Sequence, residues 1–529
     1  MGIGDHILLG FDAVLYGSGA VSVLGLAVPL PLLTVALGLL TGIVIGSIPG
    51  LAGPMVMAVA LPILISIFGY ETSAFLPVLG FLIGIMKGAT VGGAVPAILF
   101  NTPGTPDALM TTLDGYPMTR RGKAFKALRV AHFSSVSGDT FSDIMLFVCA
   151  PFLALVVEAY LDLPEKAALI MLSLCFLAAI VGKPVSKGVI AVGLGLFVAT
   201  IGTGEDFYPR LTGGVVELSG GFPIACVILG TLVIGEVFAA LHAMRGEIAT
   251  TGRLVSHEVA GDNSLPLAEK RGLLSTILPS AVIGTSIGAL PGIGSTLAAT
   301  LGYSAARRRH EARHPDAEGE ARFGSGLPQG VAATEAANSA VSGANLIPVL
   351  SLGIPGNAAA VFLILAMDSI NGLNPSPGVF KLPSSGTNPE MVMAFGLFTL
   401  MAAANILNWI GGLHVMRLMG NMIHIPKQVL LPTVLLLTIV GIYVQDSSLL
   451  AVGWLIMFGF AGFIMRLTGL PILPFVIAFI LGAPLERTAR QAFSATGGDP
   501  LFLFSSPICV MLMTGCILVL VHFARKPAL

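Results

Sequence analysis

Gly46-Ser-Ile-Pro49-Gly50-Leu51 and Gly288-Ala-Leu-Pro291-Gly292-Ile293 place the same helix-breaking dipeptide once in each half of an intensely apolar chain. Each is followed by a second matching element: Pro96 and Pro103-Gly104 recur as Pro348 and Pro355-Gly356, with six residues between the prolines both times. Proline removes a backbone donor and glycine weakens helical order, so these points interrupt a helix. Unwound backbone at membrane depth survives only where it is buried in protein or lines a polar cavity. A duplicated pair of interrupted helices therefore points to a transport site.

Composition sets the class. Of the 529 residues 55% are hydrophobic and 10% charged, and apolar stretches recur from end to end. An all-α, multi-pass integral protein of the lipid bilayer is expected. A net charge of -1 gives no case for nucleic acid, and the basic residues cluster in loops, where they orient the chain. The many glycines and prolines fit close helix packing and broken helices rather than disorder. Cys149, Cys175, Cys226, Cys509 and Cys516 lie in or beside apolar runs and read as small hydrophobes, with no disulfide or metal site. The N-terminus lacks the basic region and small-residue cleavage site of a removable signal, so the first helix is expected to stay.

At roughly 20 apolar residues per crossing, about a dozen membrane segments are expected, counting each hairpin as two arms. The first covers about residues 7–27. A re-entrant hairpin follows at about 31–67 and a broken helix at about 75–109, then spans at about 144–160, 167–181, 189–201 and 222–241. The second half repeats the pattern with a hairpin at about 274–305, a broken helix at about 331–368 and further spans to the C-terminus. The domains are thus a first repeat, 1–255, and a second, 256–529.

Loop charge sets their orientation. Residues 68–72, after the first hairpin, hold no Lys or Arg, whereas Arg307-Arg308-Arg309 follow the second. Arg120, Arg121, Lys123, Lys126 and Arg129 follow the first broken helix, whereas residues 369–390, after the second, hold only Lys381. The asymmetry predicts hairpins entering from opposite faces, an inverted repeat of the kind found in elevator-type or rocking carriers. The likeness of Leu163-Pro-Glu165 to Asn388-Pro-Glu390 runs against that pairing, because both precede spans of the same direction.

Four segments carry a family resemblance: Gly288-Ala-Leu-Pro-Gly-Ile-Gly-Ser-Thr-Leu297, Gly330-Val-Ala-Ala-Thr-Glu-Ala-Ala-Asn338, Leu352-Gly-Ile-Pro-Gly356 and Asn101-Thr-Pro-Gly-Thr-Pro106. They resemble TctA, the large membrane subunit of tripartite tricarboxylate transporters, and the likeness runs from about residue 30 to 480. The resemblance implies a permease subunit, not an enzyme, that imports a di- or tricarboxylate into bacteria across the inner membrane. It implies a small TctB-like membrane subunit and a periplasmic TctC-like solute-binding protein as partners. It also implies coupling to a cation gradient, Na⁺ ahead of H⁺, with no other cofactor. Two departures from the family pattern point to a carboxylate other than citrate. Lys87-Gly-Ala-Thr-Val-Gly-Gly-Ala94 has a lysine upstream and no serine after the glycine pair, and Gly356-Asn357-Ala-Ala is poor in hydroxyls.

A helix restarted at Pro-Gly presents free N–H groups and a positive dipole end to an anion. This makes Pro49, Gly50, Pro103, Gly104, Pro291, Gly292, Pro355 and Gly356 candidate carboxylate-binding positions. Asn101, Thr102, Thr105, Ser295, Thr296 and Asn357 add oxygens and donors beside them. Na⁺ is a possible ligand of the same breaks, and Gly53, Asp107, Gly294, Glu335 and Asn338 are the candidates for cation coupling. Lys87 in an apolar span either meets the substrate carboxylate or pairs with Asp107 or Glu335. Asp368 is a further candidate for coupling or pairing.

Two other functions are open to the same chain. One is a channel whose re-entrant loops form a fixed selectivity filter. The other is a membrane zinc protease built on His310-Glu-Ala-Arg-His314. Three arginines precede that motif, Pro315 follows it and no third ligand is evident, so a basic cytoplasmic loop suits it better and no transition metal is expected. Gly182-Lys183-Pro184 lacks the spacing and hydroxyl of a phosphate loop, so the energy for transport must come from a gradient or another chain. The segments 202–221 and 369–390 fall on the periplasmic side and are the candidates for docking the binding protein. Reversing their charges is expected to abolish binding-protein-dependent uptake while leaving the protein folded, and uptake at the wild-type rate would remove them from that role.

Overall fold

The computed structural model describes residues 2–23, 25–48, 52–102, 105–181, 184–203, 208–244, 263–290, 294–315, 319, 322–383, 386–422 and 427–525. Pro49, Gly50, Pro103, Gly104, Pro291 and Gly292 lie outside them. The fold is all-α, 81% helical, and it is that of a membrane protein. Among the described residues eight helices are long and apolar enough to cross a bilayer, and five shorter apolar helices accompany them.

The first helix, α1 (Ile3–Tyr16), is shorter than the expected span. Gly17-Ser-Gly19 ends it, with Gly19 at φ 79°, and the alternating β-branched residues beyond pair as an antiparallel hairpin, β1 (Ala20–Val23) with β2 (Leu26–Pro29). Then come α2 (Leu30–Gly46) and α3 (Gly53–Phe68), each with proline in its first turn, where the missing N–H costs nothing. Next are α4 (Phe75–Phe100), α5 (Thr112–Arg120) and α6 (Ala124–Tyr160). Helices α7 (Leu163–Val181) and α8 (Val185–Ala199) lead to a second small hairpin, β3 (Gly202–Thr203) with β4 (Pro209–Arg210). A π turn joins α9 (Ile224–Leu229) to α10 (Gly235–Met244).

The second half holds α11 (Leu267–Gly288), α12 (Gly294–Arg313), α13 (Pro328–Ala344), α14 (Leu346–Leu352) and α15 (Ala358–Ile370). It continues with α16 (Pro389–Leu407), a π turn, α17 (Leu413–Met422), α18 (Lys427–Asp446), α19 (Leu449–Thr468), α20 (Ile472–Ala495) and α21 (Pro507–Arg525). Arg307, Arg308 and Arg309 sit on the last turns of α12 rather than in a loop.

Helix α6 departs most from the pattern read in the sequence. A span was expected only from about residue 144, yet one helix of 37 residues runs from Ala124, at the basic loop, through Asp139 and Asp143. At about 1.5 Å per residue it is far longer than the ~30 Å hydrocarbon layer. The arms α2 and α3, of 17 and 16 residues, fall short of that thickness.

The chain forms two compact units, each drawing on both halves of the sequence. The first comprises Met1–Leu153, Thr251–Leu290 and Gly294–Pro426, and the second chiefly Ala154–Thr250 and Lys427–Leu529. In the first unit, α2 and α4 press together through two glycine rows at intervals of four residues: Gly38, Gly42 and Gly46 against Gly84, Gly88 and Gly92. A Cβ on Gly88 would lie 2.4 Å from the Leu39 carbonyl oxygen, and one on Gly42 would lie 2.6 Å from that of Ile85. Helix α11 meets α13 in the same manner, Gly284 lying against the Ala337 carbonyl. Small residues let helices without a hydrophobic drive between them gain dispersion contacts at close range. In the second unit Gly230 and Gly462 bring the α9–α10 segment against α19, and Arg466 binds Glu236 at 2.8 Å.

Replacing Gly88 by Ala is expected to cost about 1–3 kcal/mol by overpacking against backbone that cannot yield. Gly193→Ala in α8, where a Cβ meets nothing within 4 Å, should be neutral. Thermal denaturation of the two variants in detergent checks the contrast, and equal melting temperatures would show that the α2–α4 contact is slack.

Candidate functional site

The starts of several helices converge on one pocket of ≈ 290 Å³ in the first unit. Its wall takes Ala52, Gly53 and Pro54 from the start of α3, and Ser295 and Thr296 from the start of α12. Asn357 and Ala359 come from the start of α15, and Thr105 and Asp107 from the segment after α4. Met86, Ala89 and Thr90 of α4 and Asn338, Val341 and Ser342 of α13 close it. Three helix N-termini thus face a single space, each with N–H groups that no helical carbonyl can reach. The Asn357 side chain caps its own helix, accepting from the Ala360 N–H at 2.9 Å.

Two wall residues carry polar atoms with nothing to bond. Asn338 is 2% exposed, and neither its Oδ1 nor its Nδ2 has a hydrogen-bond partner among the described residues; the same is true of the buried Thr105 Oγ1. A buried amide left unpaired costs roughly 1–3 kcal/mol, so it calls for a partner such as a water, an ion or a ligand. Asp107 is the one charged side chain on the wall among the described residues, and its Oδ1 accepts from Thr296 Oγ1 at 2.6 Å. With hydroxyls, amides and helix N-termini around it, the pocket can hold a small anion without a basic side chain.

Lys87 turns away from this space. It is 1% exposed, and its Nζ donates to Asp139 Oδ2 and Asp143 Oδ2, both at 2.8 Å, with Asn405 Oδ1 at 3.4 Å. An ammonium has three donors and all three are engaged. Neither Asp107 nor Glu335 is its partner, contrary to the pairing considered from the sequence. Asn405 Nδ2 also donates to Asp143 Oδ2 at 2.7 Å, and Ser342 Oγ, on the pocket wall, donates to Asp139 Oδ1 at 2.5 Å. The ionic cluster and the pocket therefore share α13 and its Ser342 hydroxyl.

Glu335 is fully buried one helical turn before residue 339, with its carboxylate accepting from Thr111 Oγ1 and, at 2.8 Å, from Ser135 Oγ. Among the other candidates, Asn101 and Thr102 are exposed and do not line the pocket, and Asp368 is exposed on α15. Gly294 starts α12 at φ 76°. Pro355 and Gly356 are buried beside the pocket rather than on its wall, Gly356 lying where a Cβ would meet Asn345 Oδ1 at 2.5 Å. In the His-Glu-x-x-His segment Glu311 pairs with Arg307 at 2.7 Å, a hydrogen bond that holds its carboxyl below the usual range.

The residues missed in the sequence lie mostly on α6 and α5. Ser135, Asp139 and Asp143 recur at four-residue intervals, a polar stripe on one helix face that the spacing itself would have exposed. Asp114 is the other: fully buried, its Oδ1 accepts from the N–H groups of Gly324 (3.0 Å), Gly326 and Leu327 (both 2.8 Å), while Tyr303 donates to Oδ2 at 3.0 Å. Gly324 and Gly326, at φ 86° and 109°, turn the chain so that these donors converge.

A family model described as the tripartite tricarboxylate transporter TctA family matches residues 32–477. An Agrobacterium vitis protein, described as an uncharacterised 52.8 kDa protein in the TAR-I ttuC' 3' region, is 29% identical over 481 residues, covering 90% of this chain and 89% of its own. A second from the same organism, described as an uncharacterised protein in the TAR-II ttuC' 3' region, is 29% identical over 246 residues, 46% of this chain and 95% of its own. No solved structure matches.

Lys87→Met is expected to destabilise the protein by about 3–5 kcal/mol, because it leaves two carboxylates buried without their cation. Combining it with Asp139→Asn and Asp143→Asn should restore most of that loss. Melting temperatures of the single and triple variants check this, and an unshifted single variant would mean that water already screens the cluster.

Proposed function

Because this chain belongs to the tripartite tricarboxylate transporter TctA family, we propose that it is the permease subunit of a binding-protein-dependent carrier that imports a di- or tricarboxylate. The fold is that of a multi-pass membrane protein, and the family is one of transporters. In this reading the protein sits in the bacterial inner membrane and works with a TctB-like membrane subunit and a TctC-like periplasmic binding protein. A cation gradient drives it, and residues 202–221 and 369–390 are the docking segments.

The observation that carries the reading is Asn338, with both polar atoms unpaired on the wall where the starts of α3, α12 and α15 meet. One carboxylate group of the substrate takes the N–H groups of these helix starts. The amide of Asn338 and the hydroxyls of Thr105, Ser295 and Thr296 orient the rest. The pocket volume suits a small organic acid. Asp107, bonded to Thr296, holds that hydroxyl at the pocket wall. The paired elements, α2 with α3 before α4 and α11 with α12 before α13, are the two members of the proposed inverted repeat. The glycine contacts of α2 on α4 and of α11 on α13 are alike, which supports that pairing. The pocket takes residues from both members, as an alternating-access carrier requires.

The test is uptake of labelled di- and tricarboxylates into proteoliposomes that hold the permease and its small partner, with and without the binding protein. Saturable uptake and exchange of internal for external substrate are expected, and a non-saturating flux would mark a channel instead. Asn338→Ala should raise the half-saturation constant at least about tenfold, the equivalent of a lost hydrogen bond to a charged group. Its melting temperature should stay the same or rise, since the amide has no internal partner to lose. A lower melting temperature with unchanged uptake kinetics would assign Asn338 to the fold alone.

A further inference from the structure

The ionic cluster behind the pocket is short of one positive charge. Lys87 meets Asp139 and Asp143 at 2.8 Å each, and the three side chains are between 0% and 12% exposed. One ammonium against two carboxylates leaves a net negative charge that an apolar interior holds only with a further proton or cation. The ammonium already occupies the point where Asp139 Oδ2, Asp143 Oδ2 and Asn405 Oδ1 converge, the set of oxygens a metal ion would use. Of the remaining carboxylate oxygens, Asp139 Oδ1 is taken by Ser342. Asp143 Oδ1 is buried with no partner among the described residues, and it faces Gly343, where a Cβ would come within 2.4 Å of it. A hard cation takes about six oxygen ligands, whereas a proton needs one.

We propose that Asp143 is the coupling group of the carrier and that the coupling ion is a proton, with Lys87 as a built-in cation where a sodium ion would otherwise sit. The proposal rests on the carboxylate-carrier reading above and names its driving ion. A proton from the periplasmic side adds to Asp143 Oδ1, and the same O–H bond breaks when the proton leaves to the cytoplasm; no other covalent bond changes. With the proton on, Lys87 pairs with Asp139 alone and the cluster is neutral. With it off, the two carboxylates compete for one ammonium. Asp139 passes the difference to the pocket through Ser342, whose one hydroxyl proton chooses between Asp139 Oδ1 and the Ser339 carbonyl at 2.6 Å, and which lines the wall one turn after Asn338.

The other titratable groups on the helices that meet there are engaged elsewhere. Glu335 on α13 is held by Thr111 and Ser135, and His132 on α6 bonds the Asn408 carbonyl at 3.0 Å. Lys126, Arg129, Glu158 and Glu390 lie near helix ends.

The experiment uses the reconstituted complex with a trapped pH-sensitive dye, the membrane potential clamped and labelled carboxylate outside. Wild type is expected to accumulate substrate under an inside-alkaline gradient without sodium, by about tenfold per pH unit for each coupled proton, while the lumen acidifies. A sodium gradient alone should give no accumulation. Asp143→Asn should still exchange substrate, with a rate that no longer varies with pH, and should lose accumulation. Sodium-driven accumulation without lumen acidification in the wild type would overturn the proposal whether or not the variant folds, as would full proton-driven accumulation by Asp143→Asn. Absence of any carboxylate exchange by wild type would overturn the carrier reading, and this one with it.

Discussion

The close approach of α4 to α2 and of α13 to α11 underlies the rest of the first unit. A bilayer offers interrupted backbone no water, so every helix break needs protein on all sides. Glycine rows remove the side chains that would hold the axes apart, and carbonyl oxygens then stand where Cβ atoms would be. That proximity lets α4 and α13 form the walls against which α3, α12 and α15 begin. The pocket lies where the starts of these three helices meet that pair.

Charge is divided between two layers. Apart from Asp107, the pocket wall uses dipoles and neutral groups, which do not need to be neutralised when no anion is bound. A denser set of charges stands one layer behind it, where Lys87 spends all three donors on Asp139, Asp143 and Asn405. A lysine so occupied cannot also greet a carboxylate, since freeing it would strand two buried anions at a cost of several kcal/mol. In the proposed carrier the substrate therefore meets helix ends, and the charges behind them set the electrical state of the walls.

Much of the architecture could be read from residue order. The hairpin expected at about 31–67 corresponds to helices at 30–46 and 53–68, because apolar runs and Pro-Gly punctuation are both local signals. Thr105, Ser295, Thr296 and Asn357, named for their oxygens and donors at the breaks, share one pocket wall with Asp107 and Asn338, named for cation coupling. The misses have a common cause. Apolar length was counted, so the β-branched residues after Gly19 were added to the first helix although they pair as strands. A span counted by apolar length from about residue 144 leaves out the Ser- and Asp-bearing start of α6, and with it both partners of Lys87. Hydropathy averages over a helix, whereas the polar stripe Ser135, Asp139, Asp143 occupies a single face of it.

Asp114 has a consequence for how the chain can change. Its single carboxylate gathers three backbone donors just ahead of α13 and the hydroxyl of Tyr303 from α12, so the start of α13 is anchored from α5. Gly330 keeps the anchor in reach, since a Cβ there would fall 1.9 Å from Asp114 Oδ2. The wall that carries Asn338 and Ser342 therefore takes its position from α5 and α12 through one carboxylate, and losing that carboxylate would loosen the pocket from a point outside it.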